Sequence, residues 1–426
     1  MNKKFTVAIL GVGARGFGYG ELMHKSENFE IVALCDYNEA QIEKANAVFH
    51  VDSKNIFYDT KSFFEEKRAD VLVIATYDKC HVPQCIEAMR LGYDVLMEKP
   101  VSDSVEEIAE LLKVQKETGK KVVVCHVLRY SAPYIKLSEL LKSGEIGTLM
   151  AIDAIERVRY WHQAQAYVRI QSEVNDLAHP IILAKCCHDL DYIQHYAGAR
   201  CETVSSIGGL RFFRKENAPE GAAERCLDCK YVDSCVYSAK KIYIDRWKVE
   251  KPSFVWPYNK VSLKNPTTEE DLYEGLKTSV FGKCVFKCGV ETNEHVVDHQ
   301  MVQMHFENGV DAQLRMLFTA DGEGRRINLL GTHGELVLDG RTGTIEVRRY
   351  GKAMEILHTK DLLEGLKFGY GHAGGDEGLI NDLYSILIGQ KTEYTSLTES
   401  LESHLIGVKA EESRLNGGIT LKVHGS

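Results

Sequence analysis

The sequence predicts an α/β protein: a doubly wound parallel sheet first, then an α+β domain built on antiparallel strands. Three observations predict it. Short apolar runs alternate with helix-like stretches up to about residue 127, the pattern then changes to alternating segments, and 426 residues exceed what one ordinary core supports.

In order, strand-like runs at 5–10, 30–35, 71–75, 94–97 and 121–126 alternate with helix-like stretches at 14–26, 38–49, 82–91 and 104–118. Strand ends in such a sheet face the ligand crevice. The residues placed there are Gly11, Asp36, Thr76 to His81, Glu98-Lys99-Pro100 and His126 to Arg129. Segments 149–160, 298–306, 309–317, 326–331, 334–338 and 343–350 then read as antiparallel strands. A helix over 181–197 is expected against them, and another near 376–389 precedes a closing stretch at 397–415. Between about 207 and 290 the chain is irregular, with turn residues, cysteines and a tryptophan-proline cluster, and reads as an insertion. The expected division is 1–126 and 127–426, with the insertion inside the second part.

Charged residues at 27% and hydrophobic ones at 44% are ordinary for a globular chain. A net charge of -9 with no basic tract argues against a nucleic-acid partner. No apolar stretch approaches a membrane span, so no membrane partner is expected. The twelve cysteines are scattered rather than framed, which fits a reducing cytoplasm.

The turn Gly11-Val12-Gly13-Ala14-Arg15-Gly16 lies between the first strand and the first helix. In a strand–turn–helix unit the first glycine makes the turn, the second admits a pyrophosphate, and the third lets helix approach strand. Asp36 follows Gly16 by 20 residues, where a carboxylate accepts the ribose 2'-hydroxyl and repels a 2'-phosphate. A Rossmann site preferring NAD over NADP is therefore expected. Its set is Gly11, Gly13, Ala14, Arg15, Gly16 and Asp36, joined at the crevice by Thr76, His81 and Glu98.

Four features in order, Gly11-x-Gly13-x-x-Gly16 with Asp36, Ala75-Thr76 with His81, Glu98-Lys99-Pro100 and His188-x-x-Asp191, make the chain resemble the Gfo/Idh/MocA oxidoreductases. Gly331-Thr332-x-Gly334-Glu335-Leu336 and His372-Ala373-Gly374-Gly375-Asp376 add to the match. The resemblance implies a second domain with a large, mainly antiparallel sheet that often forms homo-oligomer contacts, dimeric or tetrameric. It also implies hydride exchange between a nicotinamide and a carbinol carbon of a sugar, glycoside or cyclitol.

Lys99 follows the strand 94–97 and is placed to hydrogen-bond the reacting oxygen, exchanging a proton if burial lowers its pKa. Glu98 either anchors a cofactor hydroxyl or satisfies backbone. His188 matches the family's catalytic-domain histidine. The family's D-x-x-x-H aspartate is missing, since Ala184 stands there with Lys185 beside it. On one continuous helix Lys185 shares a face with His188 and Asp189. It then reaches substrate hydroxyls or depresses the His188 pKa by like-charge proximity, or it pairs with Asp189 at a helix surface. Tyr160, Trp161 and His162 serve as a sugar platform or as core. Arg129 contacts substrate or forms a salt-bridged hinge, and Asp191 joins the substrate set through its motif. Cys186-Cys187 reads as filler, a nucleophilic thiol being the alternative.

Cys226, Cys229 and Cys235 form C-x2-C-x5-C inside the insertion, with Cys284 or Cys288 as a fourth thiol. Structural zinc is the first reading, with Cys284 preferred; an iron–sulfur cluster or unligated thiols are the others. The leading function is an NAD-dependent dehydrogenase. A redox-neutral glycosidase, which oxidises, eliminates and re-reduces, and a non-catalytic NAD-binding regulator are the alternatives.

Overall fold

The computed structural model describes residues 3–172, 179–250, 256–262, 264, 267–363 and 372–425. Six parallel strands open the chain: β1 (Phe5–Leu10), β2 (Phe29–Cys35), β3 (Ile56–Phe57), β4 (Val71–Ile74), β5 (Asp94–Met97) and β6 (Val122–Val124). Their order is β3-β2-β1-β4-β5-β6, so the chain reverses direction across the sheet between β1 and β4. That reversal leaves a crevice at the strands' carboxyl ends. The unbroken apolar runs have a reason: every residue of β4 and β6 is buried, because helices cover both sheet faces.

The helices also explain themselves locally. Asn38 caps Glu39–Phe49 by accepting from the Ala40 and Gln41 amides, and Ser104 caps Val105–Thr118 through Glu107. Ala14–His24 differs. Its N-cap is Gly13, with no side chain to satisfy the helix amides.

The second sheet has nine strands. They are β7 (Leu149–Arg159), β8 (Cys201–Gly209), β9 (His299–Phe306), β10 (Asp311–Ala320), β11 (Gly324–Gly331), β12 (Gly334–Asp339), β13 (Thr344–Arg349), β14 (Glu355–His358) and β15 (Leu421–Lys422). In the order β14-β13-β12-β11-β7-β10-β9-β8-β15, only β7 and β10 pair in parallel. Alternating burial along β9 and β10 reflects a sheet covered on one face. The expected helix over 181–197 is divided, Ile181–Ala184 and Cys187–Ala197, with non-helical backbone at Cys186. Helices Ala132–Lys142 and Leu397–Leu415 and the strands β3, β8, β14 and β15 were not legible in the sequence. Leu379, Ile380 and Leu383 from the late helix Gly375–Leu387 pack into one core with Val7, Ile9 and Leu34 of the parallel sheet.

The irregular stretch is an excursion between the antiparallel neighbours β8 and β9. Its described residues hold short turns, a π-helical stretch Lys240–Asp245 and the helices Arg246–Glu250 and Glu269–Thr278.

Candidate functional site

The glycine turn is built as its spacing requires. Gly11 sits at φ +86°, and a Cβ there lies 2.5 Å from the Ala75 carbonyl oxygen; at Gly16 a Cβ lies 1.9 Å from that of Gly11. At Gly13 a Cβ meets nothing within 4 Å. This is the open side of the turn, over a helix start without a side-chain cap, and a pyrophosphate fits it. Asp36 accepts the Val12 amide on one oxygen at 2.8 Å and the Asn38 amide on the other at 2.9 Å. Each oxygen keeps a second lone pair for a ribose hydroxyl. The residues present therefore fit a dinucleotide.

Three of the expected cofactor contacts, His81, Thr76 and Glu98, have protein partners in the structure. His81 is buried, with Nδ1 2.8 Å from the Pro100 carbonyl oxygen and Nε2 3.3 Å from that of Thr76, so it ties two crevice turns together. The Thr76 hydroxyl donates to Gln84 at 2.6 Å. Glu98 is occupied as well: it accepts from Arg15 Nε at 2.6 Å, the Tyr19 hydroxyl at 2.8 Å and the Lys99 amide at 2.9 Å. Burial opposes its charge, but Arg15 and Lys99 hold its pKa below the ordinary value. Arg15 continues to Asp376 at 2.7 Å, and Asp376 lies 3.2 Å from His372 Nδ1.

Lys99 reaches from the β5 turn to the second domain, where Nζ donates to the Ala184 carbonyl at 3.2 Å. The condition for proton exchange by Lys99, a pKa lowered by burial, is not met. Burial lowers it, but Cys187 and Glu98 outweigh burial, and the pKa lies above the ordinary lysine value. His188 is the depressed group, held well below the ordinary histidine value by burial and then by the Lys99 and His372 charges. Its Nδ1 is buried without a hydrogen-bond partner among the described residues. Ring centres lie 5.6 Å away at His372 and 6.0 Å away at His126. His372 and Ala373 both have left-handed backbone, φ 49° and 52°, which non-glycine residues rarely adopt. Such strain gathers at functional sites.

Lys185 does not pair with Asp189. The break at Cys186 parts their faces, and Lys185 Nζ meets Glu156 at 3.1 Å. Arg325 lies 3.0 Å from the other Glu156 oxygen and donates to Asp189 through Nε at 2.9 Å and Nη2 at 3.0 Å. Tyr192 completes the chain by donating to Asp189 at 2.9 Å. Lys99 and Arg325, rather than Lys185, are among the charges that lower the His188 pKa. Tyr167 stands near both lysines on a π-helical turn, Gln163–Arg169; burial raises its phenol pKa against their opposing charge. Single π-turns recur at functional sites.

The aromatic platform is divided. Trp161 is buried against Trp256, with the Arg246 guanidinium 3.7 Å from its ring centre, and Tyr160 meets Tyr237 edge-on, so the insertion takes both. His162 instead pairs with Glu323 and senses Lys185. Arg129 lies 3.5 Å from Asp191 and 3.1 Å from Glu399, the hinge arrangement. The buried Asp191 carboxyl is pushed up to about 6, burial outweighing Arg129. Between the ordinary carboxylate value and about 6 the folded chain binds more proton than the unfolded one, so this group costs stability as pH rises through that window. Asp191→Asn should flatten that part of a stability profile; an unchanged slope in urea titrations from pH 4 to 7 refutes it.

Cys186 and Cys187 are buried, and burial raises both thiols, Cys187 to about 12, which matches filler rather than nucleophile. As the side chains lie, no three His, Cys, Asp or Glu among the described residues are placed to hold a metal ion. The expected zinc set is therefore not assembled as a ligated centre.

Sequence reasoning missed Glu156, Tyr167 and Arg325, and left His372 and Asp376 without a role. Glu156 did carry a signal: it occupies an inward position in register with Ile152, Ala154 and Val158, where a carboxylate needs partners.

A dinucleotide turn on the switch point of a parallel sheet, facing titratable groups of a second domain, defines an NAD-binding oxidoreductase. Residues 5–126 match the family profile described as "Oxidoreductase family, NAD-binding Rossmann fold". That stretch, residues 5–126, is similar to the NAD-binding part of the Gfo/Idh/MocA oxidoreductases. The chain is 22% identical over 394 residues to YteT of Bacillus subtilis (strain 168), covering 89% of this chain and 88% of that one. An inositol 2-dehydrogenase of Rubrobacter xylanophilus is 25% identical over 206 residues, 48% of this chain and 55% of the relative. The fold matches a levoglucosan dehydrogenase solved with NADH and levoglucosan at TM-score 0.70 and 14% identity, over 99% of this chain and 100% of that one. No helix among the described residues is long and apolar enough to cross a membrane.

Proposed function

We propose that the protein is an NAD-dependent dehydrogenase acting on a hydroxyl-bearing carbon of a sugar, glycoside or cyclitol. The observation that carries this is the Lys99 ammonium, reaching from the parallel sheet to within 3.2 Å of the Ala184 carbonyl, beside His188. When bound, NAD supplies the hydride acceptor, or as NADH the donor. Gly11, Gly13, Ala14 and Gly16 hold its pyrophosphate and Asp36 its ribose. Arg15 and Glu98 bind no part of it in this reading; they link the turn to Lys99 and Asp376.

Lys99 stays an ammonium, so it donates from Nζ to the reacting oxygen and stabilises alkoxide character rather than acting as the base. His188 is a neutral imidazole and takes the hydroxyl proton. Lys185, already paired with Glu156, orients substrate hydroxyls together with His162 and Tyr167. Residues 1–126 serve the cofactor and 127–426 the substrate. The open sheet face, where Ile207 is exposed, is the proposed homo-oligomer contact. A reducing cytoplasm suits twelve free thiols.

The test is NADH absorbance with the purified protein and a panel of sugars, glycosides and cyclitols. NADH formation with NAD, and less with NADP, is expected. Asp36→Ala should raise the KM for NAD about 10–100-fold, as loss of hydrogen bonds to a charged group implies. Aglycone release without net NADH moves the assignment to the redox-neutral glycosidase. NAD binding without turnover of any substrate leaves the regulator.

A further inference from the structure

Four cysteines from two separated stretches of chain come to one cavity. Cys226, Cys229, Cys235 and Cys284 line a single cavity of about 20 Å³, room for one water-sized particle. Cys288 does not line it; its thiol turns to the Val285 carbonyl at 3.7 Å. The chain is brought to this point twice, since Arg225 and Lys283 pair as an isolated bridge and the Cys284 amide donates to the Glu224 carbonyl at 2.8 Å. Polar donors also face the sulfurs, against the burial that raises the Cys235 and Cys284 thiols. Backbone amides of Tyr237 and Phe286 donate to Cys235 and Cys284, each two residues earlier, and Arg169 Nη2 lies 3.5 Å from Cys226 Sγ. Arg169 is fully buried, a large cost unless a negative charge or carbonyls face it. It donates to the Lys283 carbonyl and the Tyr237 carbonyl, both at 2.8 Å, while Nη1 has no partner among the described residues.

We propose that Cys226, Cys229, Cys235 and Cys284 form a tetrathiolate site for one zinc ion, clamped by Arg169 to the π-helical turn that carries Tyr167. The four thiols release their protons on binding, and zinc undergoes no redox change. The thiols as they lie are not converged on an ion, so binding requires them to turn toward the cavity they line. Three of the four ligands would come from a stretch, residues 226–235, that has neither strand nor α-helix of its own, which is where a closed structural site contributes most. Arg169 offsets the net negative charge of a tetrathiolate and transmits the brace to the substrate side.

The test uses full-length protein purified without a metal-affinity step, with elemental analysis and mercurial-triggered release read by a chromogenic chelator. About one zinc per chain is expected. Cys229→Ser and Cys235→Ser should each lower it at least tenfold, and Cys288→Ser should retain it. Limited proteolysis supplies a measure independent of these variants: the wild-type chain stripped with mercurial and chelator should be cut within 210–290 at least tenfold faster. Less than a tenth of an equivalent of zinc in the wild type, iron with equimolar sulfide, or a mass lowered by disulfide formation overturns the assignment. None of these readings depends on turnover, so the metal site and the dehydrogenase reading fail separately.

Discussion

Lys99→Ala is expected to lower kcat by about 10²–10⁴-fold, the usual contribution of a positioned acid–base group. The KM for NAD should change little, because the turn at Gly11 to Gly16 and Asp36 lies on other strands. Lys99→Arg should recover only part of the loss. The guanidinium keeps the charge, but its planar fork does not replace one compact ammonium. The pH dependence has a definite sign. Cys187 and Glu98 outweigh burial and raise the lysine pKa, so the charged form persists through neutral pH and is lost only above the ordinary lysine value. Steady-state kinetics on the substrate found in the panel decide it. An alanine variant with kcat within threefold of the wild type would sink the proposed role.

Arg325→Met is expected to cost about 3 kcal/mol of stability, the low end for breaking a buried ion pair by removing one partner. The guanidinium faces Glu156 at 3.0 Å and Asp189 at 2.9 Å, and both carboxylates are nearly inaccessible. Lys185 and Tyr192 remain as their other partners, which is why the upper end is not reached. The urea midpoint of the wild type and variant measures the loss. Adding Asp189→Asn to Arg325→Met should restore part of it, since the stranded charge is then removed. A loss below 1 kcal/mol in the single variant refutes the network's place in the fold.

The dinucleotide half was legible because its demands are local. A glycine at φ +86° against a carbonyl, an acid at the end of β2 and buried strands of unbroken apolar character each follow from a few neighbouring residues. The substrate half was less so. A run read as one helix is broken at Cys186, and the neighbour assigned to Lys185 by helical spacing, Asp189, belongs instead to Arg325, 136 residues later. Helical periodicity reports which faces meet on a continuous helix; it is silent about a partner from another strand. Likewise Tyr160 and Trp161 looked available in the sequence, but the insertion supplies Tyr237, Trp256 and Arg246 to cover them.

By itself the sequence determined the two-part α/β architecture, the glycine turn with Asp36, and Lys99 and His188 as the groups to inspect. Tertiary structure alone decided their protonation. His188 is depressed because burial acts together with the charges of Lys99 and Arg325, which come from segments distant in the chain, whereas Lys99 is raised against burial, with Glu98 its neighbour in sequence and Cys187 brought to it by the fold. Coulombic interaction depends on distance in space and on the dielectric between the charges, and neither is written in residue order.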